Sequence, residues 1–127
     1  MRMHRDMIRK YTRKLTQGAG ASAPDPMSDL SRFDLDILGV QRAAEADGNT
    51  DWLRLSLDAL ITDPTGRINI FAGQGYPFSD AQLVELFTYA FHKIWPDAML
   101  SEPGNELVME FERMTDEEWA DQIDSSM

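Results

Sequence analysis

The stretch from Ser79 to Pro96 constrains the fold more than any other part of the chain. Leu83, Leu86, Phe87, Ala90, Phe91 and Ile94 recur at helical spacing and form one broad apolar stripe. Ser79 and Gln82 have capping-box spacing. Pro96 disfavours helical backbone at Trp95 and ends the element there. A stripe this wide has to be covered by other elements, so this segment is predicted to be the central core helix. The 127 residues suit one domain built around it. With 43% apolar and 27% charged residues, the composition is that of a globular chain.

The segments before it read as two further helices. Leu30, Phe33, Ile37, Val40 and Ala44 follow the 3.6-residue period, with Ser28 or Ser31 as N-cap and Asp29 in the first turn. Gly39 weakens the middle of that helix. Asp47-Gly48-Asn49 ends it. Thr50 is the expected cap of the next, lined by Leu53, Leu57 and Leu60 and widened by Trp52 and Leu55. Asp63-Pro64-Thr65-Gly66 stops it in a turn.

Three strands are predicted. Arg67–Ala72 is one, with Ile68 and Ile70 on one face. Residues 98–112 read as a hairpin around Glu102-Pro103-Gly104-Asn105, which fits a type II turn. On its second arm Leu107, Met109 and Phe111 alternate with Glu106, Glu110 and Glu112. Thr115 then caps a short acidic helix through Glu118, with Trp119 and Ile123 as its apolar contacts. The expected fold class is therefore α+β. It is mainly helical, with a small antiparallel sheet of about three strands packed by helices on one face. No internal repeat is present.

Charge divides the chain. Residues 1–14 hold Arg2, Arg5, Arg9, Lys10, Arg13 and Lys14 against Asp6 alone, whereas the other 113 residues hold six cations and 21 acids. Met3, Met7, Tyr11 and Leu15 recur every four residues, so residues 1–16 read as a basic amphipathic helix. Its stripe is too thin to hold it folded alone in water. Gln17 to Pro26 is rich in Gly, Ala and Pro and reads as a linker. The expected organisation is a flexible basic arm (1–16), a linker (17–27) and an acidic α+β domain (28–127). Met27 is a second candidate translation start.

Several chemistries lack their residues. Without Cys there is no disulfide, thiolate nucleophile or Cys-ligated metal. His92 is the one His of residues 28–127, too few for a zinc site. No G-x-S-x-G is present. Asp34 and Asp36 are followed by Leu38 where a calcium loop needs a third ligand. Gly73-Gln74-Gly75 before a helix lacks the full dinucleotide pattern and any cation of its own, so it reads as a turn rather than a phosphate cradle. Glu85, Tyr89 and His92 share a helix face and could move protons; a solvated polar stripe is the simpler reading. No cofactor is expected. No apolar run reaches the roughly 18–20 residues of a membrane span, and the N-terminus has no apolar signal-peptide core. A cytoplasmic location follows by default.

What remains is the acidic C-terminal surface. Glu102, Glu106, Glu110 and Glu112 fall on the predicted hairpin, and Asp116, Glu117, Glu118 and Asp121 on the last helix. Such a surface repels nucleic acid and attracts basic protein surfaces. Carboxylates at these spacings also resemble a row of phosphates. Tyr76 and Phe78, in a loop, are the aromatics expected to anchor a contact. The expected function is a small acidic, non-enzymatic interaction module: a regulator, inhibitor or accessory assembly component, with nucleic-acid mimicry as one form. Its partners would be a basic protein surface and, through the Met-rich arm, a second copy of the chain. An alternative places nucleic acid on residues 1–16, with Arg2, Arg5, Arg9, Lys10, Arg13 and Lys14 on phosphates. A third makes the chain a small enzyme using His92 and Glu85. Small acidic chains of this kind are expected among host regulators and among proteins of viruses or mobile elements.

Overall fold

The computed structural model describes residues 2–73, 76–102 and 109–126. The elements run β1 (Arg2–His4), α1 (Arg5–Thr16), α2 (Asp34–Asp47), α3 (Thr50–Thr62), α4 (Asp80–Ile94), β2 (Glu110–Glu112) and α5 (Asp116–Ser126). Short 3-10 turns lie at Gly20–Ser22, Pro26–Ser28, Leu30–Phe33 and Ile68–Phe71. Helix α1 packs on α2, and α3 on α4, with α2 also meeting α3 and α4.

Helix α4 is central, as its stripe requires. Leu83, Leu86, Phe87, Ala90 and Phe91 are fully buried. Ser79 Oγ accepts from Gln82 N–H, and the Gln82 side chain accepts from Ser79 N–H, completing the capping box. In α2, Ile37, Val40 and Ala44 face the core behind Phe33. The helix runs through Gly39, where nothing crowds the backbone. It ends on Gly48, whose φ of 72° places it in the left-handed region. Gly48 N–H donates to Glu45 O and Asn49 N–H to Ala44 O, the pairing of a Schellman motif.

The three-stranded antiparallel sheet is not formed among the described residues. Among the described residues the only sheet is β1 with β2, two strands in parallel, in the register Arg2↔Glu110, Met3↔Phe111 and His4↔Glu112. Two physical causes account for the difference. Residues 68–71 wind into a 3-10 turn, in which Ala72 N–H donates to Asn69 O, directly after the Pro64–Arg67 turn, in which Pro64 O accepts from Arg67 and Ile68 N–H. The i, i+3 pair Ile68 and Phe71 is buried, while Ile70 is partly exposed. The predicted hairpin also loses its partner strand. Ser101 N–H and Oγ–H donate instead to Asp58 on α3, at 2.9 and 2.7 Å. Glu110–Glu112 then pairs with the other end of the chain. The predicted turn at 103–105, with Glu106 and Leu107, lies outside the described residues.

The flexible basic arm is corrected as well. Met3, Ile8 and Tyr11 are fully buried, and Leu15 nearly so. The predicted stripe misses Ile8, Thr12 and Thr16, which widen the buried face. The helix therefore covers α2 instead of standing apart. Between them, Gly20 packs so closely that a Cβ would lie 2.8 Å from Arg32 O. No helix among the described residues is long and apolar enough to cross a membrane.

Candidate functional site

The first and last described elements meet in one region, joined by the β1–β2 ladder and by buried Met3, Met109 and Trp119. Parallel pairing sets Arg2 beside Glu112, with which it forms an ion pair. Glu112, with Glu118 and Glu110 further off, favours the charged guanidinium and raises its already high pKa. The Gln122 side chain donates to Arg2 O. One position on, His4 is 4% exposed and its Nε2–H donates to Asp116 Oδ1 at 3.1 Å. That bond holds the proton on Nε2 and leaves Nδ1 buried without a partner.

His4 also lines a cleft of about 480 Å³ between α1, the α2–α3 corner and α5. Its apolar wall is Met7, Trp119 and Ile123; its polar wall includes Asp6, Lys10, Asp47 and Asn49. Trp119 stacks edge-on against Trp52 at 5.2 Å and faces His4 at 6.3 Å. Lys10 Nζ lies 2.8 Å from Asp47 Oδ2, and Tyr11 Oη donates to the same oxygen at 2.6 Å. Asn49 Nδ2 donates to Tyr11 Oη at 2.9 Å. Burial and the Asp47 bond push the Tyr11 phenol up to about 12. Lys10 and Tyr11 hold the Asp47 carboxyl below its ordinary range.

Of the sequence-selected acids, Glu110, Glu112 and Glu118 are brought around Arg2. Asp116, Glu117, Glu118 and Asp121 are exposed on α5, and Glu102 is exposed beside Ser101. Glu106 lies outside the described residues. Thr115 and Glu118 form the expected N-terminal box: Glu118 N–H donates to Thr115 Oγ1, and Glu118 Oε1 accepts from Thr115 N–H and Oγ1–H. Tyr76 and Phe78 stack on each other at 4.9 Å, and Phe78 leans on Phe33. Both are half-buried.

The basic residues are largely engaged. Arg2, Arg5, Arg9 and Lys10 each have a carboxylate within 4 Å, from Glu112, Asp6, Asp6 and Asp47. Arg13 and Lys14 are exposed. Glu85 and His92 are exposed on α4, whereas Tyr89 Oη turns to Asp34 at 2.6 Å, a bond that pushes the Tyr89 phenol up to about 12. The three do not form a site. No group of three or more metal-ligating side chains occurs among the described residues.

Sequence reasoning missed His4, Asp47 and Asn49. Asp47-Gly48-Asn49 was legible only as a helix end, and His4 only as part of an arm. Comparison with family models, curated proteins and solved structures finds no match to this chain.

Proposed function

We propose that the chain is a non-enzymatic protein-interaction module that docks on a basic partner through the acidic face of β2 and α5. One observation carries this reading: the Asp116 carboxylate is fully solvent-accessible even while it accepts from His4. Around it, Glu110, Glu117, Glu118 and Asp121 are exposed as well. Fully hydrated carboxylates project their field into solvent and steer a basic surface at low salt. Regulation or inhibition of a nucleic-acid-binding partner, with these carboxylates standing in for phosphates, is the form of the function this surface fits.

The test is a pull-down with the tagged full chain, with and without nuclease, at low and high salt, beside the Glu110→Lys/Glu117→Lys variant. A stoichiometric protein that survives nuclease, leaves at high salt and fails to bind the variant supports the proposal. A partner held equally by the variant at high salt rejects it. A partner lost only after nuclease transfers the function to the basic residues of α1.

A further inference from the structure

A second cleft, of about 320 Å³, is lined by Arg9, Arg13, Gln17, Ala72 and Gly73. A contact between distant parts of the chain builds it. Gly73 N–H donates to Thr16 Oγ1 at 2.7 Å, and Thr16 Oγ1–H donates to Thr12 O at 3.1 Å. This buried hydroxyl fixes the exit of the Ile68–Phe71 turn on the C-terminal half of α1. The approach is close: a Cβ on Gly73 would lie 2.4 Å from Cγ and Cδ of Gln17. The glycine therefore leaves the Gln17 side chain its place in the cleft wall.

The charge of this cleft opposes that of the chain. The protein carries a net charge of -10, yet among the described residues two guanidiniums and no carboxylate line the cleft. Arg9 Nε is buried with no hydrogen-bond partner. Arg9 Nη1 stands 3.6 Å from Asp6 Oδ1, beyond ordinary hydrogen-bond reach. Asp6 partly meets the Arg9 charge, but a buried N–H donor without an acceptor is costly, and a native fold that keeps one calls for an explanation. Gly73 opens the loop that the sequence sets aside as a phosphate cradle for want of a cation. The fold supplies the cations from α1, one turn apart.

We propose that this cleft binds the phosphate group of a small phosphorylated molecule. Guanidinium forks match carboxylate and phosphate geometry alike, so charge decides between them. A phosphate monoester carries about −1.5 to −2 at neutral pH and matches two arginines; a carboxylate matches one. A nucleic-acid strand needs a longer row of free cations, and Arg2 and Lys10 are held by Glu112 and Asp47.

The experiment is a titration of the ¹⁵N-labelled full chain with inorganic phosphate at constant ionic strength, with acetate as the monoanion control and a short oligonucleotide as the polymer control. The Arg9 Nε–H and Gly73 N–H resonances are expected to shift saturably with phosphate and not with acetate. Arg13→Gln should weaken binding roughly tenfold or more, because a charge-assisted bond is lost. Arg9→Lys, which keeps the charge and loses the fork, should weaken it too. Arg42→Gln, on the exposed side of α2, should leave it unchanged. Arg13 is exposed, so its variant is expected to fold, which a melting curve checks. Absence of a saturable shift, an equal response to acetate, or undiminished affinity in Arg13→Gln overturns the proposal. So does an oligonucleotide that binds where phosphate does not.

Discussion

Tyr11 and Asp47, 36 residues apart in sequence, share a 2.6 Å hydrogen bond that ties α1 to the end of α2. Asn49 completes the arrangement from the other side by donating to the same phenol oxygen. The Schellman end at Gly48 turns both Asp47 and Asn49 toward Tyr11. Removing the hydroxyl takes a donor from Asp47, which keeps Lys10, and an acceptor from Asn49. Tyr11→Phe is therefore expected to cost about 0.5–1.5 kcal/mol, read as a lower urea midpoint at unchanged slope.

The same bond sets a pH dependence. The Tyr11 phenol titrates near 12 in the folded chain and near 10 when unfolded. Its folded pKa is raised, so its contribution is fully present below about pH 10 and is lost as pH rises toward about 12. Asp47 has the opposite sign. Its folded pKa is lowered, so its contribution is present above the ordinary carboxylate range and is lost as pH falls through its folded pKa. Stability measured across pH should fall at both ends, and Tyr11→Phe should flatten the alkaline limb. An alkaline limb identical in the two proteins would contradict this assignment.

Deleting residues 1–16 tests whether α1 is an integral part of the core. Met3, Ile8, Tyr11 and Leu15 are all at most 1% exposed. Truncating one such side chain typically costs about 2–5 kcal/mol, against a total stability of about 5–15 kcal/mol. The deletion is expected to abolish cooperative unfolding and the near-ultraviolet dichroism of the tryptophans. A sharp urea transition in the truncated chain would contradict the observed packing.

Local pattern explains what could be read in advance. The stripe and capping box of α4, the Thr115–Glu118 box, the Pro64–Gly66 turn and the buried faces of α2 and α3 depend on neighbours within a turn or two. The β1–β2 pairing joins residues more than a hundred positions apart, and nothing within Arg2–His4 marks a strand. Met3 fitted the helical stripe of α1 equally well, so the arm absorbed it. Thin apolar stripes mislead in this way: Met3, Met7, Tyr11 and Leu15 looked insufficient until Ile8, Thr12 and Thr16 joined the buried face. Of the candidate surface, the acids were legible because exposed charge is visible in composition. The cleft around His4, and the meeting of Arg9 and Arg13 with Gly73, required knowing which elements touch.

Arg67 offers a test of one of those tertiary contacts. Its guanidinium donates to Ala59 O, to Asp63 O and to Met109 O, and lies 5.2 Å over the Phe111 ring. It thereby closes the C-terminal end of α3 and holds the approach to β2. Arg67→Ala should cost about 1–3 kcal/mol, since three carbonyls, those of Ala59 and Met109 in part-buried bonds, lose a charged donor. Arg67→Lys should recover little of it, because one ammonium cannot reproduce the planar fork. Full recovery by lysine would mean that charge alone matters at this position.

The docking surface requires variants that change charge without changing the fold, and the structure selects them. Glu112 is bound to Arg2, and Glu118 closes the N-terminal box of α5. Reversing either would disturb the local structure and confuse loss of binding with loss of shape. Glu110 and Glu117 are exposed. Glu117 sits in the first turn of α5, where a negative charge favours the helix by about 0.3–1 kcal/mol; reversal there should cost at most about twice that. The Glu110→Lys/Glu117→Lys protein is thus expected to melt within a few degrees of the parent while losing its salt-sensitive partner. Glu45→Lys, exposed on α2, changes charge equally per site and should keep that partner. If Glu45→Lys weakens binding as much per charge as the pair does, net charge rather than the β2–α5 face governs association, and the docking surface assigned here is wrong.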